Sequence, residues 1–455
     1  MKKIEKRALV CWMLALLLLA GLCFFTLRWF TQGGGWASSA FNRHLYNNAG
    51  VLKSGTILDR DGDVLTTTVD GRRTYYDNET VRKATLHVVG DLYGNIGTGA
   101  LSAFADKLTG YNFLNGAYYG DKGNNLYLAI DARYNYIAYN ALNGKKGVVA
   151  VYNYETGELL CLVSAPSYDP LNVPSDIATN ERYDGAYINR FLSSAFVPGS
   201  VFKTVTAAAA IEQLPDLFSR TFTCEGSAQV GDNVVTCPHA HGTMDIYGAL
   251  SNSCNIAFAR LAVEMGPAVM ERYTEKAGLT DSYSVNGLPC AKGSFSFRDA
   301  TENQLGWSGV GQHNDLVNPC SLMVYMGAIA NGGKAAVPRI LLKSTTGGGV
   351  PSSLQLTRKT GTLIRSETAQ TLSEMMRRNV EQTYGTGRFP NMTICAKSGT
   401  AEVGGDANAN AWFAGFLQDE DYPYAFVVLV ENGGGGASVA GTVAGKVLDA
   451  MVNGY

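Results

Sequence analysis

An uncharged run from Ala8 to Leu27, preceded by Lys2, Lys3, Lys6 and Arg7 and closed by Arg28, sets the first limit on what this chain can fold into. At about 1.5 Å of rise per residue, such a run makes a helix of roughly 30 Å, the thickness of a bilayer's hydrocarbon core. A secretory signal carries a shorter apolar stretch of about 7–15 residues with a small-residue cleavage site close behind it. Here the small residues come too late. Residues 1–30 are therefore expected to form a cytoplasmic tip and an uncleaved membrane anchor, a single pass. The positive-inside rule keeps the four basic residues in the cytoplasm and places everything after Arg28 outside the cell membrane. Later apolar stretches, at 319–330 and 422–430, are too short to span and read as a core helix and a core strand.

Beyond the anchor, charge excludes one class of partner. Lys plus Arg number 37 and Asp plus Glu 39, a formal net charge of -2 without long like-charge blocks, so nucleic acid is not an expected partner. A hydrophobic share of 46% across 455 residues supports a large packed core and excludes global disorder. Seven cysteines follow the anchor: Cys161, Cys224, Cys237, Cys254, Cys290, Cys320 and Cys395. Seven cannot all pair, and most sit in apolar runs where a thiol behaves as a small buried hydrophobe.

Thr31 to Trp36 reads as a Gly-rich joint, and short strand-like runs broken by turns continue to Asn125. Residues 31–125 are expected to form a small extracytoplasmic platform. From Leu126 the pattern changes. LYLAID, GVVAVYN and ELLCLVS look like sheet strands, with a helix over 132–142. Helical spacing follows at 200–213, 246–264, 319–330 and 368–380, then strands at 392–396, 411–416 and 424–430. Strands at both ends with helices between them predict one α+β domain over 126–455, its sheet closed by the C-terminal strands.

Chemistry enters with Ser200-Val201-Phe202-Lys203, the only Ser-x-x-Lys in the chain. Pro198 and Gly199 precede an Ala-rich run, which puts Ser200 at a helix start and Lys203 one turn on, along the same face. A serine hydroxyl is a weak nucleophile. A lysine whose pKa is lowered by burial and cationic neighbours can take its proton, and free amides at a helix start can steady an oxyanion. Ser253-Cys254-Asn255 supplies a second element on an amphipathic helix. Ser284-Val285-Asn286 matches the same pattern but lies in a turn region. After Ser200, Lys-(Ser/Thr)-Gly occurs twice. Lys397-Ser398-Gly399-Thr400 follows a strand and is preferred over Lys359-Thr360-Gly361, which reads as a surface turn.

Ser-x-x-Lys, Ser-x-Asn and Lys-Ser-Gly in this order form the motif set of penicillin-recognising acyl-serine transferases, and from Leu126 onward the chain resembles the transpeptidase domain of class B penicillin-binding proteins. TGELLCLVSAPSYDP, GVGQ at 309–312, GAIANGG at 327–333, YGTG at 384–387 and AKSGTAEV carry the resemblance, with GTILDRDGD and HVVGD in the platform. Ser54 departs from it, since many relatives carry Arg there. The resemblance implies an antiparallel sheet flanked by helices, and a D,D-transpeptidase that joins peptidoglycan stem peptides. Ser200 would attack, Lys203 act as general base, Ser253 and Lys397 relay the proton to the leaving amine, and Asn255 orient the stem. Ser200 and Thr400 amides would form the oxyanion hole, with Ser398, Gly399 and Thr400 at the substrate carboxylate. β-Lactams would acylate the same serine. No cofactor is implied.

About 95 residues of platform are too few for an added glycosyltransferase, so the resemblance also implies a separate membrane-embedded glycan polymerase as partner. A D,D-carboxypeptidase, a β-lactam sensor and a cell-wall scaffold are the rival readings. Cys224, Cys237, His239 and His241 share one Gly-rich loop. A Cys224–Cys237 disulfide, free thiols and a zinc site all remain open there, with the extracytoplasmic setting favouring oxidation, and no metal is counted in the catalytic site. His44, His87 and His313 are scattered and read as satisfied surface or core histidines; Trp412-Phe413 reads as core packing.

Overall fold

A computed structural model describes residues 2–39, 42, 45–47, 51–112, 116–117, 123–404 and 408–454; His44 lies outside them. The N-terminal helix runs from Lys2 to Ala37 and is exposed along the apolar run, a helix long and apolar enough to cross a membrane. It passes straight through the expected Gly-rich joint. Gly33 is buried, and Ser38 closes the last turn by donating both its N–H (2.9 Å) and its hydroxyl (2.8 Å) to Gly34 O.

A five-stranded antiparallel sheet organises the larger part of the chain, in the order 394–401, 410–417, 424–430, 147–153, 159–165. Successive side chains point to opposite faces. On one face Val148, Ala150, Trp412, Ala414, Val427 and Leu429 meet a helical layer that includes the buried helix Pro319–Ala330. On the other, Val149, Val151, Phe413, Phe426 and Val428 meet the helices Ala132–Leu142 and Gly441–Asn453. Cover on both faces explains why these strands read as unbroken apolar runs. The pattern is the expected α+β one, with helices flanking an antiparallel sheet.

LYLAID goes elsewhere. Its strand, Asn124–Leu128, joins a second, six-stranded sheet, between Thr56–Leu58 and Leu341–Thr346. The division placed after residue 125 thus passes through a strand whose neighbours come from both sides of it. Ser54 is buried here, and the buried Arg73 guanidinium donates to the carbonyls of Leu52 (3.1 Å), Ser54 (2.8 Å) and Gly55 (2.7 Å). Arg73 thereby anchors the stretch in which Ser54 stands for arginine.

Candidate active site

Ser200 sits in a single 3₁₀ turn, Gly199–Val201, immediately before the helix Lys203–Gln213. Gly199 has φ 57°, and its N–H donates to Gly311 O at 2.7 Å. The turn lies against the edge strand Ile394–Ala401, and Trp412, fully buried as expected of core packing, donates its indole N–H to Val197 O at 2.9 Å. Three neighbouring segments therefore hold the backbone just ahead of the serine.

The Ser-x-Asn element corrects the expected continuous helix over 246–264. The structure has two helices, Ile246–Ser251 and Asn255–Met265, with the motif in the break. Ser253 adopts φ 53°, a left-handed conformation that a serine rarely takes. Cys254 caps the second helix, its Sγ accepting the Ala257 N–H at 3.5 Å. The break swings Ser253 out of helical register and into the space between two lysines.

Lys203 and Lys397 are both fully buried. Lys203 Nζ donates to Ser253 O (2.6 Å), Ser253 Oγ (3.2 Å) and Asn255 Oδ1 (2.7 Å). Lys397 Nζ donates to Ser253 Oγ (3.0 Å) and Ser398 O (2.9 Å). While an amine is protonated the Ser253 oxygen accepts from it; once neutral, the amine offers a lone pair toward which the hydroxyl proton can turn. Burial, together with the charge of Lys397, pushes Lys203 well below the ordinary lysine range. Burial alone brings Lys397 down to about 7. Ser200 has no hydrogen-bond partner for its hydroxyl among the described residues, so its oxygen is unencumbered.

These groups line one cavity of about 840 Å³, with Ser200, Ser253, Asn255, Ser398 and Thr400 in its wall. Lys203, Lys397 and Gly399 are buried immediately behind it. The two competing triplets lie apart. Asn286 of the 284–286 stretch accepts the N–H groups of Ile340 (2.6 Å) and Leu341 (2.9 Å) in a small hairpin, and the exposed Lys359 bridges Ala336. His87 is buried on Ala186 O at 2.9 Å, whereas His313 lines the cavity.

Two contributors carried no role in the sequence reading. Tyr384 Oη accepts both the N–H and the hydroxyl of Ser398, each at 3.0 Å, and fixes the edge strand from behind. Gln312 Nε2 reaches Thr400 O at 3.4 Å. Both residues lie in stretches that carried the family resemblance, YGTG and GVGQ, which was the signal available for them.

A buried basic pair on a hydroxyl, beside a serine at a helix start, is an arrangement that serine acyl transfer can use. Residues 147–449 match the family described as the penicillin binding protein transpeptidase domain, and the chain belongs to that family. Among curated relatives it is 30% identical over 318 residues to the peptidoglycan D,D-transpeptidase PbpA of Mycolicibacterium smegmatis, covering 65% of this chain and 64% of that one. The match thus spans just under two thirds of that relative's length. Similar solved structures are the D,D-transpeptidase domain of a peptidoglycan glycosyltransferase from Eggerthella lenta (TM-score 0.77, 24% identity, 88% of this chain and 99% of that one) and penicillin-binding protein A of M. tuberculosis as a penicillin G acyl-enzyme (TM-score 0.75, 23%, 88% and 99%).

Proposed function

We propose that the chain is a peptidoglycan D,D-transpeptidase that works through a serine acyl-enzyme and is acylated by β-lactams at the same residue. The observation that carries this reading is the placement of Ser253 Oγ between the Nζ atoms of Lys203 and Lys397 in the cavity that Ser200 enters. Family membership and the activity named for the relatives support it.

In the reaction, Lys203 takes the Ser200 proton and Oγ bonds to the carbonyl carbon of the penultimate D-Ala. The C–N bond to the terminal D-Ala breaks, and its nitrogen leaves with a proton passed along Lys203, Ser253 and Lys397. An amine of a neighbouring stem then attacks the ester carbon; the C–O bond to Ser200 breaks and the amine's proton returns through Lys203 to Ser200 Oγ, leaving the cross-link and the free serine. The backbone N–H groups of Ser200 and Thr400 face the developing oxyanion. Asn255, held by Lys203 and by Thr236 O at 2.8 Å, orients the stem amide. Thr400 and, once its hydroxyl turns away from Tyr384, Ser398 take the substrate carboxylate, with Gly399 letting the strand approach closely.

Intact mass after incubation with a fluorescent penicillin tests the reading. The expected result is one stable adduct, mapped to Ser200 and absent from Ser200→Ala. Rapid loss of the adduct would favour hydrolysis, as in a carboxypeptidase. Failure to acylate, repeated with a D-Ala-D-Ala-like thioester, would overturn the assignment.

The relay also predicts a pH profile. Lys397 must be neutral to accept a proton, and its pKa stands at about 7. The acylation rate should therefore rise with pH through about 7 and level off above it. Rates measured on both sides of that value, for wild type and Lys397→Arg, check this. A wild-type rate that stays flat across that range would remove Lys397 from the relay.

The domain lies on the outer side of the membrane, anchored by the N-terminal helix, and works with a membrane-embedded glycan polymerase that supplies nascent strands. Basic residues before the apolar run support the orientation. Protease added to spheroplasts should digest the domain, and the polymerase should copurify with the full-length protein; protection or no copurification would count against these statements.

A further inference from the structure

Of the three readings open for this loop, the Cys224–Cys237 disulfide is not the arrangement found; both are free thiols, as is Cys254. Instead, among the described residues, one donor atom each from Cys224, Cys237, His241 and Cys254 lie within 4.8 Å of one another. The four come from separate pieces of backbone. Cys224 ends the strand Phe222–Cys224, Cys237 follows the strand Asn233–Thr236, His241 precedes the strand Gly242–Met244, and Cys254 is the middle residue of Ser253-Cys254-Asn255. Hydrogen bonds among the loops fix them, from Cys237 N–H to Gly226 O (2.8 Å) and from His241 N–H to Cys224 O (3.1 Å).

Two of the donor separations come close to those of a zinc tetrahedron. Zinc–sulfur bonds of about 2.3 Å and zinc–nitrogen bonds of about 2.0–2.1 Å place neighbouring ligand atoms roughly 3.5–3.8 Å apart. Cys237 Sγ and Cys254 Sγ are 3.9 Å apart, and Cys224 Sγ is 3.2 Å from His241 Nδ1. A disulfide needs about 2.05 Å. Backbone amides already point at the sulfurs, Asn255 N–H to Cys237 Sγ at 3.2 Å and Ala257 N–H to Cys254 Sγ at 3.5 Å. Such outer N–H donors stabilise thiolates that ligate a metal.

We propose that Cys224, Cys237, Cys254 and His241, through Nδ1, bind one zinc ion that clamps the two hairpins of residues 222–244 onto the Ser-Cys-Asn break. Three thiolates and one imidazole in a tetrahedron suit zinc. Four protein ligands leave no open position, so the ion is structural. Its place in the sequence gives it a second effect. Cys254 lies between Ser253 and Asn255, and Cys237 takes the Asn255 amide, so the ion holds Ser253 at φ 53° and keeps Asn255 against Lys203. Binding displaces the three thiol protons to solvent.

The test uses full-length protein purified in detergent without chelator, incubated with excess Zn2+ and passed through gel filtration before metal analysis. About one zinc per chain is expected, and Co2+ in its place should give the absorption of a tetrahedral thiolate site. Cys224→Ser and His241→Ala should each lose most of the ion, while His239→Ala, which leaves all four donors, should retain it. Chelation of the wild type should lower the unfolding temperature and slow penicillin acylation about 10–100-fold. Folded wild type that emerges without zinc, or with a mass lowered by the hydrogen pair of a disulfide, overturns the site. Zinc bound, but with acylation indifferent to its removal, overturns the positioning role. Metal content is read without any acylation, so failure of this site and failure of the transpeptidase reading are separable.

Discussion

Replacing Lys203 with methionine should slow acylation of Ser200 by about 10²–10⁴-fold, the usual worth of a positioned general base, yet change the unfolding temperature little. The lysine is fully buried and its burial holds the pKa far down. The fold therefore bears the cost of desolvating an amine at this position, which a methionine of similar length does not incur. Against that relief stand lost hydrogen bonds to Ser253 O and Asn255 Oδ1, at about 1–3 kcal/mol for each acceptor left unpaired. The two effects oppose each other, whereas nothing in the site replaces the base. Acylation kinetics with a fluorescent penicillin, run beside a thermal melt, separate them. Acylation within tenfold of wild type in a folded Lys203→Met protein would remove Lys203 from the chemistry.

The contrast between Lys203 and Ser253 shows where sequence reading reached and where it stopped. Ser200 and Lys203 are related by local geometry, one turn apart at a helix start, which spacing makes readable; their chemistry was suggested only once the other two motifs stood beside them. The alternation on both faces of the five-stranded sheet is likewise local, and its strands lie close to where their apolar runs suggest. Ser253 is different. The run ALSNSCNIAF keeps a helical apolar pattern, and serine carries none of the signal that glycine or asparagine gives for a left-handed residue. Its conformation comes from what surrounds it, two lysines on the hydroxyl and the Cys237 loop against Asn255. LYLAID does form a strand, but the sheet it joins was hidden for a related reason. Side-chain period marks a strand, but its sheet was decided by pairing with Leu341–Thr346, more than two hundred residues away. Tyr384 ends the turn Val380–Tyr384 and meets Ser398 14 residues on, a contact that no local pattern announces.

Gly311→Ala should cost both stability and activity, and a second glycine makes the result interpretable. Gly311 has φ 86°, and a Cβ there would lie 2.1 Å from Gly199 O and 2.7 Å from Phe202 Cβ. Neither neighbour can retreat. Phe202 stacks on Phe295 with ring centroids 5.2 Å apart, and the space beside Gly199 is closed by Thr400 O and Ala401. The displacement therefore passes into the turn that carries Ser200. A shift of about 1 Å at a reacting group can cost about 10²-fold, and overpacking adds about 1–3 kcal/mol of destabilisation to the backbone strain. Gly287, in the hairpin of residues 284–289, has φ 94° and nothing within 4 Å of its would-be Cβ. Gly287→Ala therefore carries the backbone strain without the collision, and should lose some stability with acylation unchanged. Melting curves and acylation rates for the two variants are the comparison. If both acylate at the wild-type rate, the Gly199–Gly311 contact does not position Ser200; if both lose activity in proportion to stability, the loss reports general destabilisation. A selective loss in Gly311→Ala would show that the close approach of two glycine backbones fixes where the nucleophile stands.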